Sequence, residues 1–180
     1  MKKFSINEEE FHTPSDTYLY VAMIYKDKIR IRSAVLAELP VLLSFEQEII
    51  RSERPFDNTI RPDPVTYYDL GELIHSDEAE VVVAEYENRI IATGYARIKT
   101  GKPEYKYDQY TYLGFICVLP EYRGQGIVSM ILEHLIAWSH SKNLWEIKLE
   151  VYDGNVAAIK AYEKMGFKRN IVEMRWVGED

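Results

Sequence analysis

Apolar residues recur every second position in some stretches and every third or fourth in others, and this divides the chain into strands and helices. Ile29–Ser33 interleaves Ile and Arg and reads as a half-buried strand. Ala34–Ser52 has a helical pattern, with Leu39, Leu42, Leu43, Ile49 and Ile50 on or near one face. Pro40 marks a helix start or splits that segment. Asp69–His75 reads as a short helix. Val81–Glu85 and Ile90–Lys99 read as strands joined by a tight hairpin turn at Glu87-Asn88-Arg89. Tyr110–Val118 is a further strand, and Gly126–Ser141 a helix with Ile127, Ile131, Leu135 and Trp138 on one stripe. In Trp145–Val151 the apolar Trp145, Ile147, Leu149 and Val151 point one way, and Glu146, Lys148 and Glu150 the other. Asn155–Met165 is a helix with Asn155 as N-cap and Gly166 just past its end, and Ile171–Val177 is a closing strand. Residues 53–68, with three prolines, and Gly101–Lys106 are loops. Residues 1–17 read as a polar lead-in, and the apolar, aromatic Tyr18–Tyr25 as an added strand. This order of elements predicts one mixed α/β domain.

A length of 180 residues suits one domain with a sizeable core. The net charge of -7 argues against nucleic acid as the main partner. It helps attract a cationic acceptor, and equally it serves solubility alone. Cys117 is the only cysteine, so no intrachain disulfide forms. The opening run, MKKFSINEEEF, lacks the apolar stretch of a signal peptide. No segment approaches the about 20 apolar residues of a membrane span. The expectation is a cytoplasmic protein with no membrane partner. His12, His75, His134 and His140 show no metal-ligand spacing, so no metal site is expected.

Two motifs carry candidate chemistry. In the first, the apolar strand ending at Val118 runs through Leu119-Pro-Glu-Tyr into Arg123-Gly124-Gln125-Gly126 and then the amphipathic helix. Glycine lets phosphate oxygens approach backbone N–H groups, the helix N-terminus favours an anion, and Arg123 adds a permanent charge. A dinucleotide fold would place its glycines directly after the strand with a third at position 129. Here five residues intervene and Ser129 stands at that position, although Glu150 lies near the offset of the acidic residue.

In the second motif Glu150, Asn155 and Tyr162 follow at intervals of five and seven. Seven residues are about two helical turns, so Asn155 and Tyr162 share a helix face, and Glu150 ends the strand leading into that helix. Acetylation of an amine uses such a set. A carboxylate removes the ammonium proton, fixed backbone N–H groups hold the developing oxyanion, and a phenol protonates the leaving thiolate. Each residue also has a structural reading: Glu150 as a solvated strand residue, Asn155 as a helix cap, and Tyr162 as a packed aromatic. Cys117, alone in an apolar strand, reads as a small buried hydrophobe rather than a nucleophile.

Arg123 and Gly126 match the first and fourth positions of the Arg/Gln-x-x-Gly-x-Gly/Ala loop of GCN5-related N-acetyltransferases (GNATs). Val128 occupies the sixth position, where a small residue is usual. The string Leu149-Glu-Val-x-x-x-Asn-x-x-Ala-Ile-x-x-Tyr-Glu-x-x-Gly-Phe167 is similar to the ribosomal-protein alanine N-acetyltransferase branch of that family. The resemblance covers about residues 29 to 177 as a fold, with specific motifs from 113 to 167. It implies a GNAT-like (acyl-CoA N-acyltransferase) α/β fold, a central mixed sheet of six or seven strands with helices on both faces. Residues 29–180 would form the N-acetyltransferase domain, and residues 1–28 an extension adding a strand or a homodimer contact.

The resemblance also implies that acetyl-CoA, as co-substrate, is held by Ile116, Cys117 and Val118, by the loop Arg123, Gly124, Gln125, Gly126, Ile127, Val128 and Ser129, and by Asn155. Glu150 would be the general base and Tyr162 the proton donor. In this family the segment after the first strand helps wall the acceptor pocket, which nominates Glu53, Asp57, Tyr67, Tyr68 and Asp69 for acceptor recognition. A charged surface loop is the alternative for those five. The expected function is acetyl transfer from acetyl-CoA to a primary amine of a small molecule or peptide, by direct attack in a ternary complex. The rival is a non-catalytic acyl-CoA-binding sensor, which would keep the phosphate loop and Asn155 but would not need Glu150 or Tyr162.

Overall fold

The structure is a computed structural model and describes residues 26–178. Five strands form one sheet in sequence order: β1 (Arg30–Ser33), β2 (Ala79–Tyr86), β3 (Arg89–Thr100), β4 (Gln109–Val118) and β5 (Ile147–Leu149). The first four are antiparallel neighbours, while β5 lies parallel to β4. The helices are α1 (Leu39–Glu53), α2 (Leu70–His75), α3 (Ile127–Ser141) and α4 (Val156–Lys164). The mixed sheet with helices on both faces is as expected, but among the described residues it has five strands, not six or seven.

The difference lies at the two ends. Tyr18–Tyr25 falls outside the described residues. Ile171–Val177 forms no strand, and its apolar side chains stand in solvent, with Trp176 89% exposed. Alternation shows which side chains could share a face, but a strand also needs a neighbour to take its backbone hydrogen bonds. The expected long strand at Trp145–Val151 shrinks to three residues for the same reason. β5 pairs only Ile147–Leu149 with Thr111–Leu113, and Trp145 turns away to stack on His140 at 4.3 Å.

Elsewhere local chemistry sets the elements. Pro40 sits in the first turn of α1, where its missing N–H costs nothing. Asp69 caps α2, its carboxylate accepting from the Glu72 N–H at 2.9 Å. Glu87 and Asn88 both have positive φ, 48° and 62°, the backbone of a two-residue hairpin turn closed by the pair Tyr86 and Arg89.

In β2 all of Val81, Val82, Val83 and Ala84 are buried, which requires cover on both faces of the sheet. Val82 and Ala84 join Ile127, Ile131, Leu132 and Leu135 of α3 in one core layer. Val81 and Val83 join Leu42, Phe45 and Ile49 of α1 and Leu70 and Leu73 of α2 in the other. The candidate site lies where β4 and β5 part between these two layers.

Candidate active site

β5 stops opposite Leu113, so from Gly114 to Val118 no described strand lies on that side of β4. The ladder between β3 and β4 also slips there, between Thr93 and Tyr95, and Phe115 takes φ 57°. Such a bulge re-aims backbone groups beside a site. The carbonyl of Phe115 is held on the β3 side by the Thr93 hydroxyl at 2.9 Å. Ile116, Cys117 and Val118 therefore line an open backbone edge. Cys117 itself is buried, and desolvation pushes its thiol up to about 12, so it is no thiolate at neutral pH.

The chain leaves this edge through a single turn, Pro120–Tyr122, into the glycine loop. Arg123 donates from Nε to the Val118 carbonyl at 3.0 Å, tying the loop to the end of β4. Gly124 and Gly126 both adopt left-handed backbone, φ 76° and 78°, which glycine alone enters without strain. Gly126 is the N-cap of α3 and has no side chain to cap with, so the first-turn N–H groups of Ile127, Val128 and Ser129 keep their hydrogen-bonding capacity. Val128 packs against the α3 core layer, which keeps its branched side chain out of the loop. Gln125 is spent locally, Nε2 lying 3.4 Å from the Glu121 carbonyl.

A residue that sequence reasoning passed over stands beside this loop. The Lys26 ammonium lies 2.9 Å from where a Cβ on Gly126 would stand. The N-capping groups, the two left-handed glycines and this cation together suit an anionic group such as a diphosphate.

On the far side of the opening, Asn155 caps α4, Oδ1 accepting from the Ala158 N–H at 3.2 Å. Tyr162, two turns on, packs against the α3 core layer and meets Phe167 edge-on, with ring centres 6.3 Å apart. Burial first and the Glu53 charge second push its phenol up to about 12, so it holds its proton through the neutral range. Glu150 lies one residue beyond β5, exposed, and accepts from the Tyr112 hydroxyl at 3.3 Å. Tyr112 packs against the α1–α2 layer, whereas Tyr162 packs against the α3 layer.

The five acceptor-side residues divide. Burial holds the Glu53 carboxyl above its usual value, with Tyr67 opposing the shift, so the two groups lie near one another. Asp57 is already engaged. It accepts from Thr59 through the hydroxyl at 2.6 Å and the N–H at 2.9 Å, from Tyr152 at 3.3 Å, and from Arg175 at 2.9 Å. The Thr59 bonds and then Arg175 hold it well below the ordinary carboxylate range. Tyr68 turns inward, edge-on to Tyr95 and Phe115 at 5.5 and 5.6 Å, and Asp69 is the cap of α2. The Glu53–Asp57 turn rests on the loop before α4, with Phe56 stacked on Tyr152 at 6.1 Å. Tyr112 and Tyr152 are further lining residues that the sequence did not mark. They are reached only through cross-strand register and loop packing, neither of which leaves a local motif.

Among the described residues no group of three or more His, Cys, Asp and Glu could hold a metal ion. Among them, too, no helix is long and apolar enough to cross a membrane.

Residues 45–167 match the model of the Acetyltransferase (GNAT) family, and the chain belongs to that family. It is 35% identical over 100 residues to cysteine-rich protein 2-binding protein of Homo sapiens, covering 56% of this chain and 11% of that protein. It is 36% identical over 61 residues to [ribosomal protein bS18]-alanine N-acetyltransferase of Escherichia coli strain K12, covering 34% of this chain and 41% of that one. The chain thus spans about a tenth of the first relative's length and about two fifths of the second's. Among solved structures, a predicted acetyltransferase with acetyl-CoA from Clostridium acetobutylicum shares the fold at TM-score 0.65, with 21% identity over 82% of this chain and 96% of that one.

Proposed function

We propose that this chain transfers the acetyl group of acetyl-CoA to a primary amine by direct attack in a ternary complex. The observation that carries the reading is the opening where β4 outruns β5, followed directly by a glycine loop and the N-terminus of α3. The N–H groups of Ile127, Val128 and Ser129, with Lys26, would hold the diphosphate. The free edge of β4 at Ile116–Val118 would hold the pantetheine amides and the acetyl carbonyl, and Asn155 would contact the cofactor while capping α4. Bound acetyl-CoA supplies an activated thioester.

The chain's own residues do the rest. Glu150 takes a proton from the acceptor ammonium, directly or through water, with Tyr112 fixing the carboxylate. Tyr162, its proton retained by burial, gives that proton to the departing thiolate. Glu53 and Tyr67 line the acceptor side. Cys117, buried and protonated, takes no covalent part, so both substrates must be bound together.

Initial velocities of thiol release, measured while acetyl-CoA and an amine are varied together, test this. Intersecting double-reciprocal lines are expected. Parallel lines would show a covalent acetyl-enzyme and overturn direct attack. Saturable acetyl-CoA binding with no thiol release to any amine would favour the sensor reading instead.

A further inference from the structure

Tyr112 stands among several charged groups on the α1–α2 face of the sheet. Its cross-strand partner on β3 is Arg97, and its partner on β5 is Lys148. Its hydroxyl meets Glu150 at 3.3 Å, and the Lys99 ammonium sits 3.7 Å from the centre of its ring. One phenol ring therefore bridges Lys99 and the proposed base.

The three cations are not equivalent. Lys148 is satisfied by the tyrosines at the β3–β4 connection. It donates to the Tyr107 hydroxyl at 2.6 Å, has Glu146 at 3.9 Å, and lies 4.6 to 5.0 Å from the ring centres of Tyr105, Tyr107 and Tyr110. Lys99 and Arg97 make no ion pair with any described residue. Among the described residues no carboxylate comes within 4.0 Å of either. A ring face attracts a cation but leaves its charge uncancelled. Burial holds the Lys99 ammonium below its usual value, Glu150 opposes that shift, and Arg97 adds to it, so the three groups feel one another.

Lys99 and Arg97, neither in an ion pair with a described residue, stand near Glu150, although Arg97 also lines a small cavity with Glu72 and Glu78. The Lys99 ammonium over the Tyr112 ring is a poor neighbour for an acceptor that brings only positive charge. A polyamine would place further ammonium groups against Lys99 and Arg97, and like charges so placed are repelled. An acceptor carrying both an amine and an anionic group avoids that repulsion. Its ammonium faces Glu150, and its anion takes charge-assisted hydrogen bonds from Lys99 and Arg97.

We infer that the acceptor is an amine that also bears a carboxylate or phosphate, with Lys99 and Arg97 as the residues selecting it. This rests on the acetyl-transfer reading above and names the substrate class of the same site.

Thiol release from acetyl-CoA with matched acceptors tests it: an amino acid against its amide, an aminosugar phosphate against the parent aminosugar, and spermidine as the all-cationic case. At least one anionic member is expected to exceed its uncharged partner by about tenfold or more in kcat/KM. A preference in the first pair identifies a carboxylate acceptor, and one in the second a phosphate acceptor. Lys99→Gln should erase most of that preference through KM, and Lys99→Arg should retain it. Arg97→Gln, at an exposed position, gives the same readout if the Lys99 variant folds poorly. The inference is overturned if the uncharged partners or spermidine serve as well, or if both Gln variants keep the preference. Turnover of no amine at all would instead remove the acetyl-transfer reading itself, and this inference with it.

Discussion

Glu150 and Tyr162 are held by different means, and their variants should fail differently. Glu150 is exposed at a strand end and steadied by one phenol, while Tyr162 is packed into the α3 core layer. Glu150→Gln should lower kcat by about 10²-fold or more, with the loss partly recovered at higher pH as more acceptor amine is already neutral. Tyr162→Phe keeps the packing and removes only the proton, so it should lower kcat by a similar factor without loss of thermal stability. Its phenol remains protonated until near pH 12, so no alkaline fall in rate below about pH 10 should trace to it. Pre-steady-state and steady-state rates across pH check both. Lys26 acts as a charge near the surface: Lys26→Ala should weaken acetyl-CoA about fivefold at low salt, and less as salt screens the wild-type contact.

Among the elements, β1, β2 and the single turn before α1 are joined by one guanidinium. Arg32 donates to Glu38 and to Glu85, both at 2.6 Å, and all three side chains are less than a quarter exposed. Glu38 also accepts from the Val35 N–H at 2.9 Å. The Arg32 bond is the main cause of a Glu38 pKa below its ordinary 4.5. A depressed carboxylate stabilises the fold above its unfolded pKa, and the contribution disappears as pH falls through the folded value. Thermal melting of the wild type should therefore drop as pH falls below about 4.5. Glu38→Gln, less stable at pH 7 by about 1–2 kcal/mol, should show a shallower drop over that interval. Equal slopes for the two would mean that this carboxylate does not report the network.

Across the whole molecule, what could be read from sequence was what a short stretch decides by itself. The hairpin at Glu87-Asn88, the cap at Asn155, the α3 stripe and the glycine loop are each settled within a few residues, and each appears where the pattern put it. Ile171–Val177 failed because alternation describes a face and not a neighbour. β5, cut to three residues, likewise depends on where β4 offers pairing. The site shows the same division. The loop, Asn155 and Tyr162 lie in one motif, whereas Tyr112 reaches Glu150 across 38 residues of sequence and Lys26 reaches Gly126 from the other end of the chain. Tyr68 looked like its neighbour Tyr67 in sequence. Burial against Tyr95 and Phe115 separates them.

The proposed acetyl transfer requires one property of the assembled molecule, that the gap between β4 and β5, with its glycine loop, should receive acetyl-CoA. Calorimetric titration with acetyl-CoA, alongside desulfo-CoA, measures this directly. Micromolar binding of both is expected, about -8 kcal/mol, with one site per chain and an affinity that falls with salt. No heat from either ligand would contradict the account at its base, because a loop that binds no CoA leaves Glu150 and Tyr162 without a thioester to act on.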